Sequence, residues 1–147
     1  MGKRNATVTG TVGSFVEDAL SQLEELAGEM REWADTLEEN FSHTEKYTLV
    51  EQAAGELEAI EEFDVTEDFA DMVVQAVQDQ RVRPSRQRRC DNAVVLLEAA
   101  LAVVEAVEKT ERYCDDQDYR HEYDCLWDSI REAIDTATGV EFPGAFG

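Results

Sequence analysis

Ser14-Phe15-Val16-Glu17-Asp18-Ala19-Leu20-Ser21-Gln22-Leu23-Glu24-Glu25-Leu26-Ala27-Gly28-Glu29-Met30-Arg31-Glu32-Trp33-Ala34-Asp35-Thr36-Leu37-Glu38-Glu39-Asn40-Phe41 is the stretch that decides the fold. Apolar or small residues fall at Val16, Leu20, Leu23, Ala27, Met30, Ala34, Leu37 and Phe41. That alternation of four and three is unbroken, and it gathers these side chains on one face of a helix. Leu26 and Trp33 widen the stripe on one flank. Ser14 predicts the N-cap, and Glu17 three residues on completes a capping box. A helix this long with so broad an apolar face must be covered by other elements.

The rest of the chain supplies more helices. Ser42 with Glu45 forms a second capping box, opening a helix that carries Tyr47, Val50, Ala53, Ala54, Leu57 and Ile60. Phe63-Asp64-Val65 reads as a turn, and Thr66 caps a third helix bearing Phe69, Met72, Val73, Ala76 and Val77. Pro84 ends that helix, with Arg83 before it pushed out of the helical region. Ser85 then caps the longest and most apolar helix, expected to run to about residue 114. Between Ala93 and Val107 only Glu98 and Glu105 interrupt its hydrophobic residues, which predicts a helix surrounded by the others, with Leu97, Leu101 and Val104 at the centre. Cys114 to Asp118 reads as an acidic turn. A fifth helix carries Tyr119, Tyr123, Leu126, Trp127, Ile130, Ala133, Ile134 and Ala137, and Gly139 stops it. The expectation is an all-α protein of about five helices in an antiparallel-type bundle over residues 14–138. An extended, β-branched N-terminal arm (1–13) precedes it and an apolar C-terminal tail (139–147) follows.

Charge sets the environment. The 147 residues carry 34 Asp and Glu against 13 Lys and Arg, a net charge of −21. Lysine occurs only at Lys3, Lys46 and Lys109. Like-charge pairs recur at i,i+4 spacing, among them Glu25 with Glu29, Asp35 with Glu39, Glu58 with Glu62, Glu67 with Asp71 and Asp124 with Asp128. Each costs a few tenths of a kcal/mol in a helix at ordinary ionic strength. At about 1 M salt the Debye length falls to roughly 3 Å and most of that cost disappears. The pattern therefore points to a protein adapted to molar salt, of a halophile or its virus. A DNA mimic is the competing reading, but the acids are spread over every helix rather than aligned in one strip.

No apolar run approaches the ~20 residues that span a bilayer. Lys3 and Arg4 are not followed by an apolar stretch, so no secretory signal is expected, and the location anticipated is the cytoplasm of a high-salt host, or a virion. No cofactor and no membrane partner is expected.

Three constellations carry the available chemistry. Arg81-Val82-Arg83-Pro84-Ser85-Arg86-Gln87-Arg88-Arg89 holds five of the ten arginines and no acid. Its guanidinium groups suit an acidic protein surface or phosphates. They also suit pairing with the chain's own acids. No aromatic is interleaved to stack on bases. With Phe142 and Phe146 of the apolar tail, Arg81, Arg83, Arg86, Arg88 and Arg89 form the expected contact set for other protein subunits, and nucleic acid is admissible only at the arginine segment. Cys114, His121 and Cys125 form a second set: His121 and Cys125 lie at i,i+4 and could face one metal with Cys114, although the spacing matches no common zinc module. Free cysteines or a Cys114–Cys125 disulfide are the alternatives. The third set is Glu58 with Glu61 and Asp68 with Asp71. Acids at i,i+3 on successive helices hold magnesium in all-α nucleotide pyrophosphohydrolases.

Leu23 to Asn40, followed by Thr44-Glu45-Lys46-Tyr47 and Glu51-Gln52-Ala53-Ala54, resembles small helical proteins encoded by tailed phages and haloarchaeal viruses. The likeness lies in Glu29-Met30 with Trp33, in Leu37-Glu38 with Asn40 at the helix end, and in Lys46-Tyr47 opening the next helix. That family has no assigned activity, so the resemblance implies a viral or mobile-element setting rather than a mechanism. The expectation is a non-enzymatic structural or interaction protein, as a connector, capsid-associated or tail component of a haloviral particle or its assembly. A regulatory binder, working through Arg81 to Arg89 or as a DNA mimic, and a magnesium-dependent nucleotide pyrophosphohydrolase are the alternatives.

Overall fold

The computed structural model describes residues 5–79 and 84–143. Most of them are helical, in six α-helices, and two strands form a small antiparallel sheet. In chain order the elements are β1 (Asn5–Thr11), α1 (Val12–Phe41), α2 (Glu45–Glu58), α3 (Glu67–Ala70), β2 (Val73–Asp79), α4 (Arg86–Glu105), α5 (Glu111–Asp115) and α6 (Gln117–Gly139). A single 3₁₀ turn, Ala106–Lys109, separates α4 from α5.

Helix α1 runs unbroken for 30 residues and buries the stripe read from its sequence from Val16 through Leu20, Leu23, Leu26, Ala27 and Met30 to Ala34, while Leu37 is half-buried and Phe41, at the helix end, is exposed. Its cap lies earlier than expected. The Thr11 hydroxyl accepts from the Ser14 amide at 3.1 Å, and the Ser14 hydroxyl accepts from the Thr11 amide at 2.9 Å. Ser14 is thus the inner half of a box whose cap is Thr11, which carries the helix start back to Val12. Helix α2 is capped by Thr44 rather than Ser42. Thr44 accepts from the Tyr47 amide at 3.2 Å and donates to the Phe41 carbonyl at 2.6 Å, closing the turn between the two helices.

Of the arm expected over residues 1–13, Asn5 to Thr11 are extended and pair with another strand along their whole length, while Val12 and Gly13 already belong to α1. Register runs from Asn5 opposite Asp79, through Val8 opposite Ala76, to Thr11 opposite Val73. The third helix expected from Thr66 stops after one turn at Ala70, and Val73 to Asp79 are strand instead. The reason is an ambiguity of period. Phe69, Met72, Val73, Ala76 and Val77 fit a helical stripe, while Val74, Ala76 and Gln78 fit a strand with one buried face. Short apolar runs satisfy both templates. Pairing with β1 decides for the strand: Val74, Ala76 and Gln78 are buried and Val73, Gln75 and Val77 exposed. Gly10 permits the tight corner from β1 into α1. A Cβ there would stand 2.9 Å from the Phe15 ring and 2.7 Å from the Ser14 hydroxyl.

Ser85 caps α4, accepting from the Arg88 amide at 3.1 Å. The helix does not continue to residue 114. After Glu105 the chain tightens into the 3₁₀ turn, where Val107 is buried, and Thr110 resets the direction. Its hydroxyl donates to the Val107 carbonyl at 2.6 Å and accepts from the Tyr113 amide at 3.3 Å. Asp116 caps α6, accepting from the Tyr119 amide at 3.1 Å.

Helix α1 packs on α2 and on α4, and α4 packs also on α6 and on the inner face of β2. Leu97, Leu101 and Val104 are buried there as expected. Helix α3 is pinned by Phe69, which is fully buried and stacked on Tyr119 at 5.0 Å between centroids. Val140, just past α6, is buried, and Phe142 packs against the core.

Candidate interaction surfaces

The arginine segment enters the described residues as Arg86, Arg88 and Arg89 on the first turn of α4; Arg81 and Arg83 lie outside them. All three are paired with acids of the same chain. Arg89 places one nitrogen 2.9 Å from Glu29 Oε1 and the other 2.5 Å from Glu29 Oε2, and approaches Glu25 at 3.7 Å. Arg86 Nε donates to the same Glu29 at 3.2 Å and its guanidinium lies 5.1 Å over the Trp33 ring. Arg88 Nε stands 3.4 Å from Asp79 at the end of β2. The cluster joins α1, β2 and α4 and places Glu29 between two cations. Hydrogen bonds from Arg89 hold the Glu29 carboxyl below its ordinary range, with burial opposing and Arg86 assisting, while Glu29 raises the Arg89 guanidinium in turn. Positive charge on a first helical turn opposes the dipole. Here the neighbouring carboxylates offset it.

Asn92, which the sequence reading did not single out, completes the junction. Its side chain accepts from the Asp79 amide at 3.3 Å and donates to the Asp79 carbonyl at 2.8 Å, and its backbone carbonyl accepts from Gln78 Nε2 at 2.9 Å. An asparagine nearly two helical turns into α4 carries no sequence signal for this, because its partner lies across a strand end.

The second set does not converge. His121 Nε2 and Cys125 Sγ are neighbours on α6 at 3.7 Å, and Cys114 belongs to α5. All three cysteines are free thiols: Cys114 and Cys125 are exposed and Cys90 is buried. Burial pushes the Cys90 thiol up to about 11, and its sulfur donates to the Ala137 carbonyl at 3.5 Å.

The acidic set is divided by helix ends. Glu58 closes α2 and Glu61 lies beyond it; Asp68 lies in α3 and Asp71 just past it, so neither i,i+3 pair is held on a helix. Glu58 is gripped by Arg31 at 3.1 and 2.7 Å, and Asp68 by Arg112 at 3.0 Å. Among the described residues no group of three His, Cys, Asp or Glu side chains is placed to hold a metal ion. A hydrogen bond to Glu24 raises the Glu62 carboxyl, and one to Asp68 raises the Glu122 carboxyl.

Phe142 is half-buried against the core and Phe146 lies outside the described residues. Among the described residues no helix is long and apolar enough to cross a membrane.

The sheet offers a surface of different character. Its outer face is built from Asn5, Thr7, Thr9 and Thr11 on β1 and Val73, Gln75 and Val77 on β2; Asp79, opposite Asn5 at the end of the strand, is buried and paired with Arg88, so the exposed part of this face carries no charge. Val73 is 69% exposed and Val77 58%. Both are β-branched residues open to solvent on a chain whose every helix carries carboxylates. No known protein family, curated protein or solved structure matches this chain.

Proposed function

We propose that this chain is a non-enzymatic structural or interaction protein of a salt-adapted host or its virus, docking through the outer face of the β1–β2 sheet. The observation that carries this reading is the uncharged, β-branched face of Thr7, Thr9, Val73 and Val77 on a chain of net charge −21. Burying a carboxylate in an interface is costly without a partner cation, and among the described residues Arg88 and Arg89, beside the sheet, are already paired. A neutral face removes that cost, and the exposed valines supply the apolar area that drives association. The helices, packed about α4 as an antiparallel-type bundle, are then the scaffold that holds the sheet. The composition and the resemblance over Leu23 to Ala54 support a setting in a haloviral particle or its assembly, as a connector, capsid-associated or tail component. The pairing of Arg86, Arg88 and Arg89 within the chain and the divided acids give the nucleic-acid and magnesium readings less support.

The test is sizing by light scattering in molar KCl, comparing wild type with a Val73→Asp, Val77→Asp variant. The wild type is expected to run larger than a monomer. The variant should keep its helical spectrum and melting transition but run smaller than the wild type. A wild type that stays monomeric at every concentration, or that hydrolyses a nucleoside triphosphate with magnesium, overturns the reading.

A further inference from the structure

We propose that the free edge of β1 receives the β1 edge of a second copy, the two strands pairing antiparallel about a two-fold axis at Val8. This rests on the reading of the chain as an interaction protein and names its partner.

The sheet has only two strands, in the order β1-β2, so β1 has a strand on one side and none on the other among the described residues. Strand β2 is covered by α4, whereas β1 packs mainly on β2 and on the start of α1, and none of its residues is buried. An open edge exposes a row of backbone donors and acceptors. Proteins ordinarily guard such edges with charged side chains, proline or a bulge. Asn5-Ala6-Thr7-Val8-Thr9-Gly10-Thr11 has no charge and no proline, and its one-to-one register with β2 leaves no room for a bulge. In a chain with 34 acids, these seven consecutive residues carry no charge, on a strand whose second edge has no strand partner among the described residues.

Charge and register both select a second copy. A partner carrying the same net −21 meets acid with acid on the helical faces, and avoids it along this strand. Molar salt, with a Debye length of roughly 3 Å, screens what repulsion remains. Strand β1 is also self-complementary. With Val8 on the axis, Thr7 stands opposite the second copy's Thr9, and Asn5 opposite its Thr11. These are all outer-face positions, so the pleats of the two copies match. A one-residue slip would set outer-face threonines against the half-buried positions of Ala6, Val8 and Gly10, which period-2 alternation forbids. The product is a continuous four-stranded sheet with the valines of both copies on one face and the helices of both on the other. A two-stranded ribbon is marginal alone, and a wider sheet is not.

The experiment exchanges charge across the axis. Thr7→Glu with Thr9→Glu sets like charges directly opposite in both halves of the pair, and so does Thr7→Lys with Thr9→Lys. Sedimentation is run at the lowest KCl concentration that keeps the wild type folded, so that the introduced charges are little screened. Each double variant should show a homodimer dissociation constant raised at least about tenfold, with the far-UV spectrum unchanged. Mixing the glutamate variant with the lysine variant should restore a dimer containing one of each. That rescue cannot come from a misfolded chain. If the wild type associates and neither variant weakens it, or if mixing restores nothing, the edge is not the interface, and the interaction reading stands on some other surface. If the wild type is monomeric throughout, this proposal and that reading fail together.

Discussion

Arg89 on α4 holds Glu29 on α1 with two guanidinium nitrogens, at 2.9 and 2.5 Å, and Arg86 adds a third donor at 3.2 Å. The arrangement gives the arginine segment a structural role within the fold, in joining the first long helix to the central one.

A double-mutant cycle of Glu29→Gln and Arg89→Gln should return a coupling of about 1 kcal/mol, since a bidentate pair is stronger than a single surface pair but both side chains here are partly solvated. The pH dependence has a definite sign. Glu29 titrates below its ordinary range in the folded chain, so its contribution is complete above the unfolded carboxylate pKa and is lost as pH falls through the folded value. The difference in melting temperature between wild type and Glu29→Gln should therefore be largest near neutrality and shrink in acid. A difference that grows in acid would contradict the assignment.

Strand β2 makes a prediction that separates period two from period 3.6. Val74 is 2% exposed and Val77 58%. Val74→Ala should cost roughly 1–3 kcal/mol, as truncation of a buried aliphatic side chain does, while Val77→Ala should stay within about 0.5 kcal/mol. A helix with the stripe Val73, Ala76 and Val77 inward would reverse that order. Chemical denaturation of the two variants decides it.

The thiols should divide by location. Cys114 and Cys125 are exposed, and Cys90 is buried with its pKa pushed up to about 11. Titration of the native protein with DTNB at mildly alkaline pH should release two equivalents quickly. The third should appear only on unfolding. Fast reaction of Cys90 would mean that the contact between α4 and the end of α6 is open.

Long elements were legible in the sequence and junctions were not. The stripe from Val16 to Ala34 and the run from Tyr119 to Ala137 repeat their period over many turns, and only a helix satisfies such a repeat. Residues 72–79 are too few to do so. The identity of β2 depends on β1, more than sixty residues earlier in the chain at its nearest pairing. The break after Glu105 is hidden because Ala106 and Val107 continue the apolar pattern, and Thr110 is its visible signal. The arginine segment was found by composition, but its counterions Glu25, Glu29 and Asp79 are ordinary acids among many. Only the packing of α1 and β2 on α4 singles them out.

Hydrogen–deuterium exchange of residues 5–11, followed as a function of protein concentration in molar KCl, is the most direct measure of whether the sheet is the working surface. Backbone amides on the open edge of β1 have no partner strand among the described residues of one copy, and acquire one when two edges meet. The account predicts that protection of this segment rises with concentration while peptides from α1, α4 and α6 exchange at unchanged rates. Exchange of β1 that is independent of concentration, in a sample that associates, would contradict it.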